Sequence, residues 1–219
     1  MLLKKWNVKR YWVLPIRVQT AYRKAFFNLN TRTPEHSNTF IIPMKKLSLE
    51  ELNRVSVSEY KTQKKRNAIV VLDNIRSMHN VGSAFRTSDA FSLEKICLCG
   101  ITAKPPHREI YKTALGAEES VDFEYHKKTG DCLAILKEQG YKIVIIEQTD
   151  QAVLLHEFIP SETEKYAFVF GNEVFGVSDE ALPYGDLSLE IPQSGTKHSL
   201  NVSVCIGVVM WDFVSKHSK

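Results

Sequence analysis

Short apolar runs rich in β-branched residues alternate with amphipathic segments between residues 68 and 192. The apolar runs predict buried strands at 68–73, 95–100, 121–126, 142–148, 166–171 and 187–192. The segments between them predict helices at 80–91, 108–119 and 129–140, the first with Asn80 as its N-cap and the last closed by Gly140. This alternation predicts an α/β fold with a mostly parallel sheet covered by helices on both faces.

The C-terminal segment from Ser199 to Ser215 is apolar around most of its circumference. Its start alternates like a strand, but its length favours a helix with Ser199 near the N-cap. One face of that helix is lined by Leu200, Val204, Gly207, Val208 and Trp211. Because both faces need cover, we expect one of them to pack against the same helix of a second copy, which makes a homodimer.

Residues 44–67 form a short extension before the main domain at 68–219. Residues 45–55 predict a helix in which Ser48 is the N-cap and Glu51 completes a capping box. Residues 59–67 are strongly charged and read as a linker or a helix end.

Residues 1–43 form a basic leader without a clear helical or strand period. They contain eight basic residues and one acidic residue, a net charge of +7, whereas residues 44–219 carry 21 basic and 24 acidic residues, a net charge of −3. The leader is interpreted as disordered or not natively translated, with Met44 as the start. A basic RNA-binding arm and an organellar presequence are the alternatives. Any nucleic-acid surface on the main domain must therefore be a local patch.

Composition is typical of an ordinary globular domain. Apolar residues make up 43% of the 219 residues, and no uncharged apolar run is long enough to predict a membrane span. The four cysteines lack the spacing of a zinc site, so we expect no metal and four buried or inert thiols. Such thiols are typical of a reducing compartment, and we expect a cytoplasmic location with no membrane partner.

Three glycine-containing polar loops follow strands, where ligands bind in open parallel sheets. Familiar nucleotide motifs do not fit them. Gly171 and Gly176 have the spacing of a P-loop, but Val177 stands where lysine is required. No G-x-G-x-x-G follows the first strand and no nucleophile elbow is present.

The three loops together resemble the motifs of a known family. They read N-x-G-S-x-x-R-T at 80–87, F-G-N-E-x-x-G-V-S at 170–178 and I-P-x-x-G-x-x-x-S-L-N-V-S-V at 191–204. In this order they are similar to the three motifs of the SpoU (TrmH-type) RNA ribose methyltransferases of the SPOUT superfamily. The resemblance runs from about residue 70 to the end of the chain.

The resemblance implies a deep trefoil knot at the C-terminal end, a homodimer packed partly through the last helix, and S-adenosyl-L-methionine as the cofactor. Residue by residue, it implies catalytic roles for Asn80, Arg86, Glu173, Ser199 and Asn201. It also implies that the cofactor pocket is lined by Gly171, Ile191, Leu200 and Asn201. Gln193 departs from the family pattern, in which methionine is common.

The implied reaction transfers a methyl group to a ribose 2′-hydroxyl and needs no metal. A guanidinium with a pKa above about 12 is a poor general base. We therefore expect Arg86 to grip the adjacent phosphate and to favour the alkoxide, while phosphate, His79 or water takes the proton. Candidate RNA contacts, if they converge, are Lys61, Lys64, Lys65, Arg66, Arg76, Lys104, Arg108 and Lys112.

The RNA substrate is expected to be tRNA rather than ribosomal RNA. The main domain has no room before it for a substrate-recognition domain, and residues 145–155 resemble the branch that methylates a D-loop guanosine. A non-catalytic RNA-binding knot protein and a Rossmann-type enzyme with a nucleotide cofactor are the alternatives. The intact motif residues disfavour the first, and the missing glycine fingerprint disfavours the second.

Overall fold

A computed structural model describes residues 44–48, 50–197 and 199–217, so the expectations for the leader at 1–43 lie outside the described residues. The chain divides into two units, 1–52 and 53–219. In the first, the predicted capping box forms: the Ser48 amide donates to Glu51 Oε2 at 2.7 Å and the Glu51 amide donates to Ser48 Oγ at 3.3 Å. Residues 50–53 nevertheless form a turn and not part of the predicted helix. Asn53 has a φ of 46°, which a right-handed helix does not allow.

The described part of the second unit is built on a seven-stranded sheet in which every strand pairing is parallel. Its order is β3-β2-β1-β6-β4-β7-β5. The strands are Arg66–Asp73 (β1), Leu93–Cys99 (β2), Asp122–His126 (β3), Tyr141–Ile146 (β4), Val153–Leu154 (β5), Lys165–Phe170 (β6) and Leu187–Glu190 (β7). The predicted α/β class with a parallel sheet is confirmed. Only the two-residue β5 is missing from the sequence prediction, because two residues carry no readable period.

Helices cover both faces of this sheet. They span Val57–Thr62 (α1), Met78–Ala90 (α2), Arg108–Ala114 (α3), Ala117–Ser120 (α4), Thr129–Glu138 (α5) and Val202–His217 (α6). On one face, Phe85 of α2 and Phe213 of α6 share a core with Phe168 of β6. On the other face, Leu133 of α5 belongs to a separate core with Val169. Burial on both faces explains why the central strands are continuous apolar runs.

Two predicted helix boundaries are wrong. Helix α2 begins after Ser77, whose Oγ accepts the Asn80 amide, so Asn80 is the third residue of the helix and not its N-cap. The predicted helix at 108–119 breaks into α3 and α4, because Leu115 and Gly116 adopt φ values of 52° and 93°. The first shift matters for the site, because it turns the Asn80 side chain inward toward Glu173.

Helix α6 starts two residues later than Ser199 predicts. Its preceding residue is Asn201, whose Oδ1 accepts the Ser203 amide at 2.9 Å and the Ser203 hydroxyl at 2.6 Å. The capping side chain is therefore Asn201. No helix among the described residues is both long and apolar enough to cross a membrane.

Candidate functional site

A cleft of about 590 Å³ opens at the carboxyl ends of β4, β6 and β7. This is the edge of a parallel sheet at which ligands bind, and the volume suits a small molecule. Apolar lining comes from Ile146, Phe170, Leu189, Ile191 and Val202, and polar lining comes from Glu147, Asn172, Glu173, Ser199 and Asn201. The cleft therefore offers an apolar floor together with carboxylates and amides.

Glu173 joins the second motif to the first. Its Oε2 accepts the backbone amide of Arg76 at 3.0 Å, and its Oε1 accepts the backbone amide of Ser77 at 3.0 Å. The same Oε1 accepts Nδ2 of Asn80 at 2.9 Å. Loss of solvation raises the pKa of Glu173, but these hydrogen bonds outweigh it and bring the pKa below its ordinary value. The carboxylate is thus held ionised as the acceptor at the start of α2.

Asn80 joins the first motif to the third. Its Oδ1 accepts Nδ2 of Asn201 at 3.3 Å, while its own Nδ2 points to Glu173. Asn80 is buried, and its two partners fix which way its amide faces. Three of the predicted site residues, 80, 173 and 201, therefore form one continuous hydrogen-bonded chain at the cleft.

The predicted pocket residues also meet at this cleft. Gly171, Ile191, Leu200 and Asn201 all line it, and Ser199 lines it beside them. Gly171 is required by close packing, since a Cβ there would lie 2.1 Å from both the Gly176 carbonyl carbon and the Val177 nitrogen. Those contacts are backbone atoms, which cannot move aside cheaply.

Arg86 is not part of this cluster within the protomer. It lies on the exposed side of α2, in a shallow groove shared with Lys112 of α3 and Gly207 of α6. Six residues at about 100° each turn Arg86 well away from the face that carries Asn80. The structure thus brings four of the five predicted catalytic residues together, and Arg86 lies apart from them.

The predicted basic patch does not converge. Lys61, Lys64, Lys65 and Arg66 lie at the amino-terminal end of β1, whereas Arg76 lies beyond its carboxyl end, roughly 25 Å away along an eight-residue strand. Lys65 contacts the Tyr60 ring. Of the remaining members, Lys104 lies over the Tyr125 ring, whereas Arg108 and Lys112 are exposed neighbours one turn apart on α3, with Lys112 paired with Glu109.

His79, suggested above as a proton acceptor, faces outward. Its Nε2 lies 3.0 Å from Glu109 Oε2, and its side chain is 56% exposed. It does not line the cleft that holds Glu173. Position 79 follows the N-cap by two residues, which places it on a different side of α2 from Asn80.

Sequence reasoning missed two carboxylates that shape the site. Glu147 follows β4, and its Oε2 accepts the Val177 amide at 3.1 Å. Asp73 ends β1 fully buried, and it accepts the Ser178 amide at 2.7 Å and the Thr129 hydroxyl at 2.5 Å. An acidic residue at the carboxyl end of a buried strand is the signal that could have identified both.

The fold and the cleft define an open parallel α/β protein with a ligand site built from three separated loops. Comparison with known proteins narrows this class. The SpoU rRNA Methylase family matches residues 67–211, and the chain belongs to this family.

Individual relatives are more distant. The chain is 28% identical over 156 residues to the tRNA (guanosine(18)-2′-O)-methyltransferase of Escherichia coli, and the match covers 71% of this chain and 66% of that protein. It is 31% identical over 155 residues to the 23S rRNA (guanosine-2′-O-)-methyltransferase RlmB of Nitrosomonas europaea, covering 69% of this chain and 57% of that protein. The chain thus spans less than two thirds of the length of either relative.

A solved structure confirms the fold. The AdoMet-bound rRNA methyltransferase of Sinorhizobium meliloti superimposes with a TM-score of 0.64 at 23% identity, covering 75% of this chain and 61% of that chain. At this identity the likeness concerns the fold.

Proposed function

We propose that this protein transfers a methyl group from S-adenosyl-L-methionine to a ribose 2′-hydroxyl of RNA. The observation that carries the proposal is the hydrogen-bonded chain from Glu173 through Asn80 to Asn201, because it joins all three family motifs at one cleft. The names of the E. coli and N. europaea relatives describe this reaction on tRNA and on 23S rRNA.

The cleft suits the proposed cofactor. S-adenosyl-L-methionine combines an adenine ring with ribose hydroxyls and a charged amino acid end. Ile146, Leu189 and Ile191 offer apolar surface for a ring, and Glu147 offers carboxylate oxygen to hydroxyl or ammonium groups. The Sinorhizobium meliloti neighbour is an AdoMet-bound rRNA methyltransferase. When bound, the cofactor supplies an electrophilic sulfonium methyl group.

We assign Glu173 and Asn80 to positioning. Glu173 accepts three hydrogen bonds and has a lowered pKa, which makes it a weak proton acceptor. Its role is to hold the start of α2 and to orient the Asn80 amide. Asn80 in turn orients Asn201, which caps α6 and forms one wall of the cleft.

We infer that Arg86 acts across a homodimer. Exposed apolar side chains follow one side of α6 and the residues before it, namely Leu200, Val204, Val208 and Trp211, at 39–53% exposure. Arg86 lies beside that surface, in the groove that includes Gly207. If a second copy covers this stripe, each Arg86 sits at the subunit interface, from which it can reach the cleft of the partner. There the guanidinium grips the RNA phosphate next to the reacting ribose.

The homodimer is tested by substituting Trp211. Trp211→Glu places a charge in the proposed interface, so light scattering after size exclusion should show a monomer where the wild type is a dimer. Ile135→Glu is the matched control, because Ile135 is exposed on α5, which packs on the opposite face of the sheet from α6. A dimeric Trp211→Glu protein would count against an interface through this helix.

We also propose the C-terminal trefoil knot and a cytoplasmic location. The knot is supported by family membership and by the position of β7 between β4 and β5, with Ile191 and Asn201 lining the same cleft as Glu147, which follows β4. A crystal structure traced through 187–202 tests the threading. Cell fractionation tests the location.

The favoured substrate is tRNA with a D-loop guanosine. The chain covers more of the tRNA-modifying relative, 66%, than of the 23S rRNA relative, 57%. Ribosomal RNA is the alternative, and a knot protein that binds RNA without turnover is a further one.

A methyl-transfer assay decides among them. Purified protein is incubated with labelled S-adenosyl-L-methionine and either unmodified tRNA or ribosomal RNA, and the product is mapped by mass spectrometry of ribonuclease fragments. We expect a single 2′-O-methylated guanosine in tRNA. Transfer only to ribosomal RNA would correct the substrate, and cofactor binding without transfer to any RNA would refute the enzyme.

A further inference from the structure

Three soft metal-ligating side chains from three elements meet on the sheet face opposite α2. They are Cys97 of β2, His126 at the end of β3 and Cys132 of α5, and their ligand atoms all lie within 4.8 Å of one another. The positions are separated by 29 and 6 residues in the chain. That separation explains why sequence spacing gave no sign of a metal site.

The strand register brings these groups to one face. Cys97 and Cys99 alternate with Ile96 and Leu98, so both thiols point into the core beneath α5. Cys99 pairs with His126 across the parallel strands, which places the imidazole on the same face. Cys132 comes down from α5 above them.

The His126 ring supplies the second, independent observation. Its Nε2 is buried, and within the described parts of the chain it has no hydrogen-bond partner. Glu124 Oε2 lies 3.4 Å from this nitrogen, but without hydrogen-bond geometry, and Lys95 takes the other carboxylate oxygen at 2.6 Å. A buried imidazole nitrogen normally finds a partner. A nitrogen of this imidazole lies within 4.8 Å of two thiols, which are weak partners in hydrogen bonding but strong ones in metal coordination.

We propose that Cys97, His126 and Cys132 bind one thiolate-preferring d¹⁰ cation, Zn²⁺ or Cu⁺. A tetrahedral Zn²⁺ with bonds of about 2.3 Å to sulfur and 2.0 Å to nitrogen sets its ligand atoms roughly 3.5 Å apart. The observed cluster therefore needs only side-chain adjustments of about an ångström to fit that geometry. The site is distinct from the cleft and does not depend on the proposed methyl transfer.

The charges and protons balance simply. Both thiols lose their protons to solvent as two sulfur–metal bonds form, so two thiolates neutralise Zn²⁺, and the neutral imidazole adds the third ligand. Glu124 Oε2 or a water molecule is placed to take a fourth position. The His126 side chain is 17% exposed while both thiols are fully buried, so the cation would enter past the imidazole. No oxidant or reductant is needed.

The bound cation would act as a structural clamp. β3 is an edge strand of the sheet, attached to the rest through β2 alone among the described strands. A cation held by β2, β3 and α5 ties this edge to the helix above it. Metal binding should therefore raise the melting temperature of the whole protein.

Cobalt spectroscopy tests the site directly. The full chain is purified under reduction, stripped with a chelator, checked for four free thiols after denaturation, and titrated with Co²⁺. We expect thiolate-to-cobalt charge-transfer bands and tetrahedral d–d bands that saturate at one equivalent, and that Zn²⁺ abolishes. Competition of Cu⁺ against bicinchoninate then decides which of the two cations binds more tightly.

Variants locate the ligands. Cys132→Ser and His126→Gln should each lose the cobalt bands and the rise in melting temperature. Cys205→Ser is the matched control, because Cys205 lies on α6 outside the cluster. If Cys132→Ser does not fold, as judged by circular dichroism, the more exposed His126→Gln decides. Absence of bands in the wild type, or bands that survive either substitution in a folded variant, overturns the proposal.

Discussion

The Asn80 amide stands between two side chains from distant parts of the sequence. It donates to Glu173 at 2.9 Å and accepts from Asn201 at 3.3 Å. Since a carboxylate only accepts and an amide does both, the order of donors and acceptors along this chain is fixed. The first prediction replaces the donor group of Asn80 with an acceptor.

Asn80→Asp should lower the free energy of unfolding by about 1–3 kcal/mol, because two carboxylates then face each other and a hydrogen bond is lost. Adding Glu173→Gln supplies a new donor toward the introduced carboxylate and should recover part of the loss. Urea denaturation of the wild type, both single variants and the double variant gives the coupling energy. Losses that simply add within about 0.5 kcal/mol would mean that the two side chains are not coupled.

The second prediction concerns acid stability. Hydrogen bonds hold the pKa of Glu173 below its ordinary value of 4.5 in the folded protein, so the unfolded chain binds the proton first as the pH falls. The stabilisation from Glu173 is complete above pH 4.5 and is lost as the pH drops from there through the folded pKa. Glu173→Gln should therefore flatten the fall in unfolding free energy in that window.

The measurement is urea unfolding at a series of pH values from neutral to strongly acidic. Glu162→Gln is the control, because Glu162 is exposed in a loop before β6. Equal slopes for wild type and Glu173→Gln below pH 4.5 would contradict the assigned hydrogen bonds.

The hydrophobic pattern predicted most of the fold, because central strands that are buried on both faces are continuous apolar runs in the sequence. Ala68 to Leu72 are fully buried, and β1 was predicted to within two residues. Helix ends were harder to place. Ser77 and Asn80 both favour N-caps, and only the contact of Asn80 with Glu173, far along the chain, decides between them.

The sequence predicted the site only for those residues that lie within the three family motifs. Asn80, Glu173 and Asn201 could be expected to meet, and they do. Their donor and acceptor roles depend on geometry that no spacing encodes. The cluster around Cys97 and His126 depends on strand register and on the docking of α5, which sequence spacing does not specify.

The third prediction tests the close approach of backbone at the cleft. Gly171→Ala adds a Cβ that meets the backbone of Gly176 and Val177 at 2.1 Å. We expect a loss of about 1–3 kcal/mol in stability from overpacking. Because the shifted backbone lines the cleft, binding of S-adenosylhomocysteine should also weaken, by roughly tenfold for each 1.4 kcal/mol of binding free energy that is lost.

Gly130→Ala is the matched control for this change. Gly130 lies in α5 outside the three motifs, and a Cβ there comes no closer than 3.3 Å to any described atom, the nearest being Cε2 of the Tyr184 ring. Thermal melting and calorimetric titration should leave that variant close to wild type. A Gly171→Ala protein with wild-type affinity and melting temperature would show that the backbone has room to move.

The fourth prediction addresses the separation of Arg86 from Asn201. Arg86→Lys should abolish methyl transfer and leave calorimetric binding of S-adenosylhomocysteine intact, because a lysine keeps the charge but loses the bidentate contact with phosphate.

If the site is shared, Arg86→Ala and Asn201→Ala are each inactive alone. A dimer that pairs the two variants has one site with an intact Arg86 from one copy and an intact Asn201 from the other. Random mixing after denaturation and refolding should restore about a quarter of wild-type activity. Mixtures that stay inactive, although mass spectrometry detects mixed dimers, would place Arg86 in the cleft of its own subunit or outside the reaction.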